Sequence, residues 1–240
     1  MTDPFYRRTL TRLLDEGVAS IDDRIVVVCG GPVDRDTLVD AGFTNVVITN
    51  LDERMVGDEY APYTWDRQDA EALTWPDDSA DWGLVHAGLH HCASPHRALG
   101  ELLRVGRRGA IAFEARDSLL VRAGVRLGLV EEYEVTAVAA NGGDFGGVRN
   151  GPVPNHVYRW TEREVCKTVR SLLPAHEHDI QFLYGVRVPT ERLGEGWRGA
   201  LGRTAAKAAP VVEKVTPRQG NEFAFVVRKN VRPQPWLRDC

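Results

Sequence analysis

The chain of 240 residues is short of several things, and each shortage narrows what it can be. It has no run of about 18 apolar residues, so no membrane-spanning helix is expected. The N-terminal stretch MTDPFYRRTLTRLL carries no apolar signal-peptide core. Its four cysteines, Cys29, Cys92, Cys166 and Cys240, lie far apart with no CxxC pair, which points to reduced thiols in a cytoplasmic protein rather than a disulfide framework. There is no excess of basic charge: 30 Lys and Arg against 34 Asp and Glu leave a net charge of −4, so nucleic acid is not the expected partner. No cysteine set has metal-ligand spacing, and no resident metal is expected. A hydrophobic content of 43% is ample for one large core, and no internal repeat is present.

What is present is an alternation of apolar runs with helical segments. Residues 24–53, RIVVVCGGPVDRDTLVDAGFTNVVITNLDE, read as a strand at 25–28, a glycine turn at Gly30 and Gly31, a short helix over 34–41, a second strand at 46–48 and a polar tip at Asn50 and Asp52. Residues 4–14 predict a helix capped by Asp3 with Pro4 in its first turn. Further strands are predicted at 63–65, 82–86 and 110–114, with Gly109 marking the turn into the last. A helix from Pro95 to about residue 104 is capped by Ser94. This alternation implies an α/β fold: a doubly wound, mostly parallel sheet with helices on both faces and ligands at the carboxyl ends of its strands.

Beyond residue 116 the pattern loosens. A helix is expected over 119–129. Residues 139–155 hold five glycines and two prolines and read as a loop, of the kind that covers a site. Thr161 and Glu164 predict a capping box opening a helix that runs to about 172. Residues 180–184 and 222–228 read as an antiparallel closing pair, 207–220 as a connection, and NVRPQPWLRDC as a partly ordered tail.

The glycine turn VVVCGGPVD is neither a GxGxxG dinucleotide fingerprint nor a P-loop, since the third glycine and the GK[ST] are missing. The more specific stretch comes later. Asp69-Ala70-Glu71-Ala72-Leu73, Pro76-Asp77-Asp78-Ser79, Asp81, Leu89-His90-His91, Pro95, Leu99, Leu102, Arg104 and Gly109 resemble, in order and spacing, the middle of the class I S-adenosylmethionine-dependent methyltransferases. The resemblance covers residues 20–116. It implies a single domain with a Rossmann-like sheet of seven strands, one antiparallel at the edge. A cofactor-binding core would span 20–116, a variable lid over the substrate 117–178, and closing strands and a tail 179–240. It also implies S-adenosyl-L-methionine as cofactor, S-adenosyl-L-homocysteine as product and a small molecule as acceptor.

Residue by residue, the resemblance sets Gly30 and Gly31 under the methionine part of the cofactor and Asn50, Leu51 or Asp52 at the ribose. Asp69 would take the adenine amino group, with Ala70 and Glu71 beside the ring, and His86 would line the sulfonium side. The sequence departs from the family twice: Val27 and Val28 stand where an acid is usual, and Asn50 where the ribose-binding acid is commonest. Asp52 and Asp34 are the available substitutes. For a proton-accepting group the candidates are His156, His90 and His91. Asn141, Asn150, Asn155 and Tyr158 offer polar contacts for an acceptor such as a sugar or another polar product. Two other readings stay open: a binding or scaffold protein on a degenerate methyltransferase fold, and a nicotinamide-dependent enzyme.

Overall fold

The protein was analysed as a computed structural model, which describes residues 3–54, 57–188 and 196–237. Among these residues seven strands form one sheet: β1 (Arg24–Val28), β2 (Asn45–Asn50), β3 (Thr64–Arg67), β4 (Ala80–His86), β5 (Gly106–Ala115), β6 (His176–Gly185) and β7 (Glu222–Pro233). Their order is β3-β2-β1-β4-β5-β7-β6. The first five are parallel, and β7 runs antiparallel to both β5 and β6. The expected closing pair is therefore present, with β7 set one place in from the edge strand β6.

Among the described residues seven α-helices accompany the sheet: α1 (Pro4–Asp15), α2 (Pro32–Ala41), α3 (Pro95–Val105), α4 (Leu119–Arg126), α5 (Val135–Ala140), α6 (Glu162–Leu172) and α7 (Trp197–Val215). Among the described residues no helix is long and apolar enough to cross a membrane.

Each strand side chain goes to one of two apolar layers, as the two-residue period requires. Ile25 and Val27 pack with Ile48, Leu84 and Ile111 under α1 and α2, which add Tyr6, Leu10, Leu13 and Leu38. Val26 and Val28 pack with Val85 and Phe225 under α3 and α6, which add Leu99, Leu102, Val165 and Val169. All four residues are buried, because β1 is central and covered on both faces.

Caps fix where the helices begin. The Asp3 carboxylate accepts the Phe5 and Tyr6 N–H groups at 2.9 and 3.0 Å, and the Ser94 hydroxyl accepts from Arg97 at 3.3 Å. The Thr161 hydroxyl accepts from Glu164 at 3.2 Å. The reciprocal half of that expected capping box is replaced: the Glu164 carboxylate instead accepts the Tyr158 hydroxyl.

Three expectations are corrected. Gly109 lies inside β5 rather than before it. Its φ is +140°, and a Cβ there would lie 1.8 Å from the Val227 carbonyl oxygen, so the close approach of β7 requires glycine. Residues 207–215 are the second half of α7, not a connection; Pro210 sits inside that helix, at the cost of one N–H donor. The tail is partly sheet, since β7 extends to Pro233 and pairs with His176, while Trp236 is exposed and residues 238–240 lie outside the described part.

At the start of β7, burial and then the nearby Asp3 carboxylate push Glu222 up to about 7. The folded state thus holds a proton that the unfolded chain releases near the ordinary carboxylate value, so stability falls as pH rises through that window. Glu222→Gln is expected to match the parent near pH 4.5 and to exceed it by on the order of 2 kcal/mol at pH 8. Urea unfolding at the two pH values measures this.

Candidate functional site

A cleft of about 210 Å³ opens at the carboxyl ends of the parallel strands. The segments after four strands, and one later segment, supply its walls. Cys29 follows β1, Asn50, Leu51 and Asp52 close β2, and Gln68, Asp69, Ala70 and Glu71 follow β3. His91 and Cys92 follow β4, and Gly146, Gly147, Arg149 and Asn150 come from the glycine-rich segment after α5.

The two glycines after β1 differ in what they do. A Cβ on Gly30 would lie 2.6 Å from Ile48 Cγ2 and 2.9 Å from Val27 Cγ1, so Gly30 is required by packing under the turn. A Cβ on Gly31 would meet nothing within 4 Å, so this is the residue that leaves open space. Its N–H is held by Asp34 at 2.8 Å. Cys29 reaches the turn with φ of +53°, where the left-handed region is uncommon for a residue bearing a Cβ.

At the end of β2 the Asn50 amide is already spent within the protein. Its nitrogen donates to the Gly30 carbonyl at 2.6 Å and to the Tyr60 hydroxyl at 3.1 Å, and its oxygen accepts the Asp52 N–H at 2.8 Å. Asn50 thus ties β2 to the glycine turn, and Asp52 is the carboxylate at that tip. Arg54 grips Asp52 with two bonds of 2.8 and 2.6 Å and holds its carboxyl below the usual range. Arg54 also lies 3.9 Å over the Phe145 ring and donates to Asn141 at 3.2 Å, which docks the glycine-rich segment onto the β2 tip.

After β3, one Asp69 oxygen accepts the Glu71 N–H at 2.9 Å and the other accepts Arg149 at 2.7 Å. Glu71 is buried and accepts the Ala93 and Ser94 N–H groups, both at 2.9 Å. It therefore braces the loop after β4 rather than facing the cleft as a free carboxylate. Arg149, which sequence reasoning passed over, reaches Glu71 at 3.4 Å from a left-handed backbone with φ of +52°.

The histidines separate. His86 is half-buried against α1, stacked on Tyr6 with ring centroids 4.4 Å apart, and lies 4.0 Å from buried Asp34. It does not line the cleft. His156 is exposed and packs edge-on to Tyr133, away from the cleft. His90 and His91 stand together. Buried Glu114, at the end of β5, accepts the Gly88 and Leu89 N–H groups at 2.9 and 2.7 Å and contacts His90 Nδ1 at 2.8 Å. Glu134 lies 3.5 Å from His90 Nε2 and 3.3 Å from His91 Nε2. Burial disfavours charge on His90, but Glu114 and then Glu134 outweigh it and push the ring up to about 10. Burial, then the His90 charge, lower His91, so at neutral pH it is the uncharged imidazole in the cleft wall.

Of the polar groups expected at an acceptor, Asn150 lines the cleft and accepts the Gly146 N–H at 3.2 Å. Asn155 is fully buried and donates to Glu134 at 3.2 Å. Asn141 caps α5 through the Ala137 carbonyl at 2.9 Å, and Tyr158 turns to Glu164 and His96, so neither reaches the cleft. Cys29 and Cys92 bring their sulfurs within 4.0 Å. That contact, with burial, pushes the Cys92 thiol up, so it is no nucleophile at neutral pH.

This sheet order, with a ligand cleft over β1 to β4, coincides with a sequence match. A family model described as "Methyltransferase domain" matches residues 27–113, which run from β1 nearly to the end of β5. Residues 27–113 thus carry a methyltransferase-domain match, over the part of the sheet that borders the cleft. Solved structures share the fold at low identity. A SAM-dependent methyltransferase from Thermotoga maritima, described as a possible histamine N-methyltransferase, is 16% identical with a TM-score of 0.53, over 94% of this chain and 90% of that one. A methyltransferase from Mesorhizobium loti is 18% identical with a TM-score of 0.52, over 91% and 96%. The [4+2]-cyclase SpnF is 15% identical with a TM-score of 0.54, over 94% and 82%. No curated protein matches by sequence.

The two glycines make separable demands on this chain. Gly30→Ala is expected to cost about 1–3 kcal/mol through overpacking against Ile48 and Val27. Gly31→Ala should cost less than about 1 kcal/mol, the price of a poorer helix cap. Denaturant midpoints of the two variants against the parent measure both.

Proposed function

We propose that the chain methylates an oxygen or nitrogen of a small polar molecule in the cytoplasm, with S-adenosyl-L-methionine as donor. The observation that carries this is that Asp52, Asp69 and His91 line one cleft at the carboxyl ends of the parallel strands. The donor set fits the cofactor. Asp69 keeps an acceptor oxygen for an adenine amino group, shared with Arg149, and Asp52 supplies a carboxylate for ribose hydroxyls in place of Asn50. Gly31 leaves room for the methionine part. The cofactor, when bound, supplies an electrophilic methyl group on its sulfonium sulfur.

The chain's own residues orient and enclose. Arg149 and Arg54 hold the segment 141–150 against Asp69 and Asp52, and this segment is the lid in our reading. Holding an acceptor in line with the methyl supplies much of the rate in such a transfer. His91, uncharged at neutral pH, offers an electron pair to the acceptor's proton or to a cation. The acceptor is a free small molecule in this reading, and neither nucleic acid nor membrane is required.

One observation favours a second reading, a cofactor-binding protein without transfer. Asn50 occupies the ribose-acid position with its amide fully engaged, and Val27 and Val28 leave no acid at the end of β1.

Calorimetric titration with S-adenosyl-L-homocysteine tests the proposal. One equivalent should bind, and Asp69→Ala should weaken it about 10-fold by removing one hydrogen-bond acceptor. Absence of binding at millimolar ligand overturns both readings. Binding of S-adenosyl-L-methionine with no product formed across panels of amines and hydroxylated acceptors supports the second.

A further inference from the structure

His90, His91 and Glu134 form a cluster of which the methyl-transfer reading uses only His91. Their donor atoms all lie within 4.8 Å of one another. The two Nε2 atoms face a single oxygen, Glu134 Oε2, at 3.5 and 3.3 Å. Those distances exceed the 2.7–3.2 Å usual for an N–H···O bond. They match the edge of a metal polyhedron: bonds of about 2.0–2.1 Å to nitrogen and about 2.0–2.2 Å to oxygen in tetrahedral geometry separate the donors by roughly 3.4 Å.

Two supports stand behind the three donors. His90 turns its Nδ1 to the buried Glu114 carboxylate at 2.8 Å, which orients the ring and leaves Nε2 toward Glu134. A carboxylate behind an imidazole in this way is the usual backing for a metal-bound histidine. Asn155 is fully buried against the same Glu134 oxygen, with Nδ2 at 3.2 Å, and its Oδ1 has no partner. Asn155 thus holds the Glu134 carboxylate in place beside the two imidazoles. Two carboxylates, Glu114 and Glu134, and two imidazoles share this small volume, and a dication neutralises it.

We propose that His90, His91 and Glu134 bind one divalent transition-metal ion of the zinc class at the wall of the cleft. Two imidazoles and one carboxylate are the donors of a zinc site that keeps a position open, and they also accept cobalt, manganese and ferrous ions. His91 belongs both to the cluster and to the cleft wall, so the open position is available to an oxygen or nitrogen of a molecule in the cleft. Binding of the ion rests on the donor set alone. Its use on an acceptor rests on the methyltransferase reading, and narrows that acceptor to one with a metal-binding hydroxyl, phenol or amine beside the atom to be methylated.

The test uses the full-length protein, stripped with a chelator and free of cofactor, titrated with zinc chloride by calorimetry. One equivalent should bind. His91→Ala and Glu134→Gln, both only half-buried changes, should each weaken it at least about 100-fold. Glu114→Gln, which keeps the ligands and removes their backing, should weaken it about 10-fold to 100-fold. Circular dichroism of each variant verifies the fold. Cobalt titration supplies a second readout: visible bands without a thiolate charge-transfer band support the proposal. No zinc binding by the parent overturns it. So does unchanged affinity in folded His91→Ala and Glu134→Gln, or loss of binding in the Cys29→Ser, Cys92→Ser double variant, which would move the site to the thiols. Homocysteine-nucleoside binding is measured separately, so failure of the metal site and failure of the methyltransferase reading are told apart.

Discussion

The Glu114 carboxylate is the constraint on which the site depends. It is buried at the end of β5 and reaches across to the neighbouring connection, where it takes two backbone N–H groups and one imidazole. A buried carboxylate with that many partners is stable only while all of them are made, since each unmade bond costs about 1–3 kcal/mol. Glu114 therefore sets the path of residues 88–90, and that path decides where His90 and His91 stand. Ala87 enters the segment with φ of +51°, a left-handed backbone that packing and these bonds together sustain. Glu71 works the same way from the other side, holding Ala93 and Ser94 and with them the first turn of α3.

The cleft is thus bounded by internal carboxylates that serve the backbone and by others that face inward. Asp52 and Asp69 face inward, and each is met by an arginine, Arg54 and Arg149. Both pairs are partly exposed and contribute little to stability. Their effect is on position: they draw a glycine-rich segment with little apolar burial of its own against the mouths of β2 and β3. A ligand that takes either carboxylate competes with a weak contact rather than with a packed core, which suits a wall that has to yield.

The sheet was readable in the sequence where burial acts on both faces. Ile25 to Val28 and Trp82 to His86 are apolar runs of strand length, and nothing else accounts for them. Helix starts were readable at Asp3, Ser94 and Thr161 because a cap is a local bond. What escaped is what depends on contacts distant in the chain. Gly109 resembles a turn until β7 is laid beside it. Pro210 breaks a helix only where the rest of the helix is weak. In the site, Asp52 was a candidate from its place after β2, Asp69 from the resemblance and His91 from its imidazole, and all three line the cleft, whereas Arg149 lies 80 residues from Asp69 and carries no local signal. Asn50 and Glu71 had the right location and another duty, since a polar side chain at a strand end serves the nearest unmet backbone group first. His156 was drawn by its polar neighbours in the sequence, and those neighbours diverge in space.

The insertion of β7 between β5 and β6 has a consequence for how the chain is made. β5 ends at Ala115 and its antiparallel neighbour begins at Glu222, so one edge of the parallel half waits for more than a hundred residues of later chain. During synthesis β5 presents unpaired N–H and C=O groups alongside Ile111 and Phe113, an open template for another chain. The long separation also makes this pairing slow to form. Ribosome-bound chains that stop before residue 222 are thus the species most exposed to aggregation, and emergence of β7 is the event that ends that exposure.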